Sequence, residues 1–191
     1  MPFLSDHTTI TRKQLRWLRV ILLGYILFIF SATSSHAQSN EYQVKAVFIF
    51  NFTHFVKWPA RIFRDPRAPF VIGILGKNAG PYLEETIEGE TVDNHPIRVQ
   101  YFDNAKGVGN CHILFIERSH ASSIRKVVEE LGNNPTLTVS DADNFMRESG
   151  MIQLYNDNDK IRLEINQKKS EESSLEISSK LLSLATIYKS K

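Results

Sequence analysis

The sequence predicts an α/β fold in three layers: a mostly parallel sheet, a C-terminal antiparallel hairpin and a long C-terminal helix. Three observations lead there. FVIGIL (Phe70 to Leu75) and HILFIE (His112 to Glu117) are almost continuously apolar, as strands covered on both faces are. SSIRKVVEELGNNP follows the second of these runs and precedes TLTVS (Thr136 to Ser140), and a strand, helix, strand sequence implies a right-handed crossover between parallel neighbours. MIQLY (Met151 to Tyr155) and IRLEI (Ile161 to Ile165) flank NDNDK, a strong turn signal.

The elements follow in order. Residues 1–37 read as an export leader: Arg12, Lys13, Arg16 and Arg19 precede the apolar run VILLGYILFIF, which is shorter than the roughly 20 residues needed to span a membrane. Small residues at Ser35 and Ala37 place signal cleavage after Ala37, with an uncleaved anchor as the competing reading. Residues 38–191 then form one α/β domain, exported into an oxidising compartment. Removing the leader leaves 19 Lys and Arg against 20 Asp and Glu, so the basicity of the whole chain belongs to its leader. A nearly neutral domain without a basic stripe is a poor nucleic-acid binder.

Glu41 to Lys57 contains no Gly or Pro and reads as one helix, ended by Trp58 and Pro59. At about 100° per residue, Val44, Phe48, Phe52 and Phe55 form one stripe, with Ile49 and Val56 beside it. Val47, Phe50 and Trp58 lie round another side, leaving a thin sector at Ala46, Thr53 and Lys57 for water. A helix apolar on most sides is buried on most sides. It is wedged between layers of its own domain or covered by a partner, and the partner-interface candidates are Val47, Phe50, His54 and Trp58.

PYLEETIEG forms a short helix after the first strand, and IRVQYF (Ile97 to Phe102) another strand. Ile124, Val127, Val128 and Leu131 follow helical spacing, and Gly132 closes that helix. The last helix starts near Ser170, with Glu171 and Glu172 favourable at its amino end. Its apolar arc holds Leu175, Ile177, Leu181, Leu182, Leu184, Ala185 and Tyr188.

CHILFIERSH, from Cys111 to His120, carries the densest chemistry. Strand alternation sends Cys111 and Ile113 one way and His112 and Leu114 the other, so thiol and imidazole diverge. Without a base within hydrogen-bond reach the thiol is a buried, inert side chain. Cys111 is the chain's single cysteine, so it forms no intramolecular bridge. His54, His95, His112 and His120 show none of the spacings of a metal site. The SxxK at Ser123 lacks its companion motifs, and Ser178 reads as a backbone-bonded helix residue. Gly76 and Gly80 match no phosphate-binding pattern. Any ligand would lie beyond the carboxyl ends of the strands, which nominates Gly76, Ser119 and Asp141. No catalytic residue, metal or cofactor is expected, and the domain is not read as an enzyme.

KAVFIFNFTHFVKWP, FVIGILG, CHILFI, LTVSDADNF, GMIQL, RLEIN and ISSKLLSLA, in that order and spacing, resemble the YfiR-like family of exported proteins. The resemblance covers nearly all of residues 38–191. It implies a periplasmic regulator that restrains an inner-membrane diguanylate cyclase through its periplasmic sensory domain, relieved by an outer-membrane lipoprotein or by redox stress. The expected partners are therefore a cyclase or sensory kinase, that lipoprotein and a second copy in a homodimer. The alternative is a periplasmic small-molecule-binding module attached to an uptake or sensory system. One cysteine departs from redox sensing through an internal disulfide.

Overall fold

The computed structural model describes residues 41–63, 65, 67–158 and 160–189. The leader and its cleavage after Ala37 lie outside the described residues. Helix α1 (residues 41–55) runs directly into strand β1 (Val56–Lys57). Strand β2 (Phe70–Leu75), helix α2 (Gly80–Thr86), strands β3 (Thr91–Val92) and β4 (His95–Phe102) follow. Strand β5 (Ile113–Ile116), helix α3 (Ile124–Leu131) and strand β6 (Leu137–Ser140) form the crossover unit, and β7 (Ile152–Asp157) pairs antiparallel with β8 (Lys160–Ile165). Helix α4 (Gln167–Glu172), strand β9 (Glu176–Ile177), helix α5 (Ser179–Leu182) and strand β10 (Thr186–Ile187) complete the chain.

The eight-stranded sheet has the order β10-β8-β7-β6-β5-β2-β4-β3, and only the β3–β4 and β7–β8 pairs are antiparallel. From β2 the chain steps outward to β4; from β5, on the other side of β2, it steps outward through β6 and β7. The direction of winding therefore reverses between β2 and β5. Register aligns the three central strands closely: Leu75 pairs with Ile116, and Ile116 with Ser140. The residues that leave these strands, Gly76, Glu117 and Asp141, consequently stand in a row.

Each sheet face has its own apolar layer, which explains the unbroken runs in β2 and β5. Phe70, Ile72, Ile74, Ile113, Phe115 and Val139 meet α1, α2 and the C-terminal elements. Leu75, Leu114 and Ile116 meet Ile124, Val127 and Leu131 of α3. Burying each such aliphatic or aromatic side chain is worth about 1.5–3 kcal/mol. Gly73, in the middle of β2, is a packing requirement: a Cβ there would come within 2.8 Å of Cys111 Sγ and of the Phe102 ring.

Three expectations are corrected. The helix predicted to Lys57 ends two residues earlier, because Val56 and Lys57 pair with Ile177 and Glu176 of β9. Its faces are also turned: Ala46 and Thr53, assigned to water, are buried against the sheet, whereas Val44 and Val47 are 38% and 45% exposed. Small side chains at 46 and 53 let the helix axis approach the sheet. Third, the long C-terminal helix is broken into α4, β9, α5 and β10. Asn166 accepts from Lys169 N and starts a helix three residues before Ser170; Ser174 adopts φ 60°, and Ser178 accepts from Leu181 N and starts α5. Local serine and asparagine caps here outweigh apolar spacing.

Candidate functional site

In a doubly wound sheet the place to look for a ligand is the carboxyl end at the reversal of winding, which here falls between β2 and β5. Gly76 leaves β2 with φ 143°, a conformation that favours glycine, and a Cβ on it would overlap the Glu117 carboxyl group. Glu117 itself is fully buried. Its Oε1 accepts from Asn78 N (2.6 Å) and Ala79 N (2.8 Å), and its Oε2 accepts from Asn78 Nδ2 (2.9 Å). Those backbone amides belong to the entry into α2, where unpaired N–H groups favour a negative charge. The carboxylate of Glu117 thus holds the place that an anionic ligand would take in this architecture.

The neighbouring position is filled in the same way. Lys45 enters from α1, and its Nζ lies 2.5 Å from Asp141 Oδ2; Glu41 pairs with it from one turn away. Lys45 and Asp141 are 2% and 3% exposed, so the pair is a buried one. Asp141 Oδ1 also accepts from Arg118 N (2.6 Å). Burial first, and then the charges of Asp141 and Glu117, push the Tyr42 hydroxyl up to about 12, so it stays protonated at the edge of this cluster. The ammonium of Lys45 lies 4.8 Å from the centre of the Tyr42 ring.

The structure places Gly76, Ser119 and Asp141 around this crevice: Ser119 Oγ lies 3.4 Å from Glu117 Oε2 and 3.1 Å from His120 Nδ1. Sequence reasoning missed the two side chains that fill the space between them. Glu117 was visible as an acid directly after an apolar strand. Lys45 was visible as the one cation inside the apolar stripes of α1.

The partner candidates on α1 divide. Val47 is exposed, and Phe50 meets His54 edge to face at 5.1 Å on the same outward side. Trp58 is anchored inward instead: its Nε1 donates to His112 O (3.1 Å), and its ring stands edge-on to Phe70 at 5.0 Å. The stripe read from Val44 to Phe55 is itself partly outward. Phe48 and Phe55 border a groove of about 320 Å³ with Ile161, Leu163, Leu181 and Leu184, the last 70% exposed.

In CHILFIERSH the thiol and the adjacent imidazole do not meet. Cys111 lies with Leu114 against Gly73, while His112 lies on the opposite side, stacked on Phe70 at 4.5 Å. The expected partition, Cys111 with Ile113 and His112 with Leu114, is corrected, because the chain bends at His112 and strand alternation starts only at Ile113. Cys111 Sγ donates to Val108 O (2.8 Å), and burial pushes its pKa up to about 12. His112 Nδ1 accepts from Val71 N (2.9 Å), and burial lowers its pKa to about 4. Among the described residues no three His, Cys, Asp or Glu side chains are grouped to hold a metal ion, and no helix is long and apolar enough to cross a membrane.

Fold and site together define an α/β domain whose ligand crevice is filled by its own charged side chains and whose first helix presents apolar side chains outward. The profile of the YfiR/HmsC-like family matches residues 42–186, and the chain belongs to that family. The family is one of periplasmic, non-catalytic regulators associated with diguanylate cyclases. Curated proteins yield no match. Solved structures include a similar one, a conserved domain protein from Vibrio cholerae O1 biovar eltor str. N16961, at TM-score 0.46 and 14% identity. That similarity covers 63% of this chain and 55% of the Vibrio chain, so this protein spans about half the length of that relative.

Proposed function

We propose that this protein is exported to the periplasm and restrains an inner-membrane diguanylate cyclase, or a sensory kinase that controls one, by binding its periplasmic sensory domain. Family membership across residues 42–186 carries the reading, and the outward apolar side chains of α1 support it. Restraint across a membrane requires tighter binding to one state of the partner than to the other. Moving the partner from mostly active to mostly inactive takes about 5.5 kcal/mol of such difference. Val47, Phe50 and His54 are the residues assigned to that contact, with Trp58 fixing the end of the helix behind them. An outer-membrane lipoprotein competing for the same surface would relieve the restraint, and a homodimer would present two such helices. The mature chain begins at Gln38.

The test is genetic and biochemical together. Deleting the gene should raise cyclic di-GMP and biofilm, and Val47→Asp should do the same without lowering the melting temperature, since Val47 is 45% exposed. Pull-down from membranes should recover a cyclase or sensory kinase with the wild type and lose it with the variant. Unchanged cyclic di-GMP on deletion, together with no such partner in the pull-down, would end the proposal.

A further inference from the structure

The opposite end of the sheet carries a site of different character. Register places Val71, His112 and Thr136 side by side where β2, β5 and β6 begin: His112 N donates to Val71 O, and Leu137 N donates to His112 O. These three residues line a cavity of about 440 Å³, within the usual range for small-molecule pockets. Ile62, Pro69 and Pro135 give it apolar walls, and Asn110 and Asn134 are exposed side chains of its lining. No Asp, Glu, Lys or Arg lines it among the described residues.

The side-chain polar groups of this cavity have few protein partners, where those of the carboxyl end are paired with one another. Neither the Asn110 nor the Asn134 carboxamide bonds to another described residue. His112 Nδ1 is committed as the acceptor of Val71 N–H, so the neutral ring carries its proton on Nε2, which has no acceptor among the described residues. Thr136 Oγ1 donates to Cys111 O and keeps a lone pair free. The cavity therefore offers an imidazole N–H and two carboxamide groups, each both donor and acceptor, against apolar walls, and none of its lining residues among those described carries a charge.

We infer that this cavity is a binding site for an uncharged small molecule that carries an amide, carbonyl or hydroxyl group on an apolar ring. A carboxamide on the ligand matches the asparagine side chains as both donor and acceptor, and its oxygen matches the His112 N–H. A carboxylate in the same position finds no cation among the described lining residues and would be desolvated without compensation from them. The inference is independent of the cyclase reading, because binding is measured on the purified chain alone.

The probes are two matched pairs, nicotinamide with nicotinate and benzamide with benzoate, titrated at up to millimolar concentration into the full-length labelled protein. Side-chain amide signals of Asn110 and Asn134 and the ring signals of His112 are followed by NMR. The neutral member of at least one pair should shift these signals saturably, and its charged counterpart should bind about tenfold more weakly or worse. His112→Phe also orphans the Val71 amide, so the deciding variant is Asn134→Leu, whose side chain is exposed. It should weaken the neutral probe about tenfold and leave the melting temperature unchanged. If neither neutral probe moves the three sets of signals, if charged and neutral members bind alike, or if Asn134→Leu binds as the wild type does, the inference fails.

Discussion

The two ends of one sheet have been put to opposite uses. At the carboxyl end, Gly76, Glu117 and Asp141 stand in register and are closed over by internal bonds: Glu117 to the entry of α2, and Asp141 to Lys45. At the amino end, Val71, His112 and Thr136 stand in register too, yet they border an open cavity whose described lining is uncharged and includes the exposed Asn110 and Asn134. The carboxyl end of a parallel sheet is where helix amino ends converge and anions are welcome. This chain supplies the anion itself. What other α/β proteins offer to ligands there is used here to hold α1 and α2 onto the sheet, and the recognition proposed above falls to the outer face of α1 and to the amino end.

The sharpest test of the closed end is Lys45→Met. Removing one member of a buried ion pair leaves Asp141 uncompensated and should cost about 3–5 kcal/mol, read from urea unfolding. Adding Asp141→Asn removes that charge while keeping an acceptor for Arg118 N, so the double variant should be more stable than Lys45→Met alone. A loss below about 1 kcal/mol for Lys45→Met would mean that the pair behaves as a surface one.

A smaller effect separates filling from mere proximity. Glu117→Ala leaves the Asn78 and Ala79 amides without their acceptor and should cost about 1–3 kcal/mol. Gly76→Ala should also destabilise, since its Cβ would overlap the Glu117 carboxyl group. In the double variant that overlap is gone and only the unfavourable φ remains, so the two costs should sum to more than the measured loss. Simple additivity would show that Glu117 does not occupy the space above Gly76.

The central strands were legible in the sequence because burial on both faces makes them apolar without alternation, and α3 was legible because its single apolar face repeats at helical spacing. The faces of α1 were not. A helix apolar on nearly all sides gives periodicity no face to choose, and Ala46 and Thr53 were assigned to water when smallness was the real requirement. The closed crevice was half legible: Gly76 and Asp141 follow from strand ends, but Lys45 finds Asp141 at 96 residues' separation, and no local pattern encodes that pairing. The broken C-terminal helix was hidden by its own apolar arc, since Leu175, Ile177 and Leu181 are buried from a strand and a short helix as readily as from one continuous helix.

The smallest expected effect belongs to the open end and is a matter of pH. His112 has its folded pKa lowered to about 4, against 6.5 for the free side chain, because burial of the ring between Phe70 and Phe63 disfavours its charged form and the neighbouring His95 disfavours it further. The unfolded chain binds the proton more readily, so the contribution of the neutral ring to stability is complete above pH 6.5 and is lost as pH falls toward 4. Allowing for solvent screening of a partly exposed ring, the loss between pH 7 and pH 5 should be about 1 kcal/mol. His112→Phe keeps an aromatic ring in the stack but cannot titrate. It starts less stable at neutral pH because Val71 N loses its acceptor, yet its stability should fall less over the same interval. The measurement is the difference between the two pH values within each protein, which cancels the carboxylates common to both. Equal falls in the wild type and the variant would show that His112 is not held neutral by its surroundings, and the contrast between a charged closed end and a neutral open one would lose its histidine.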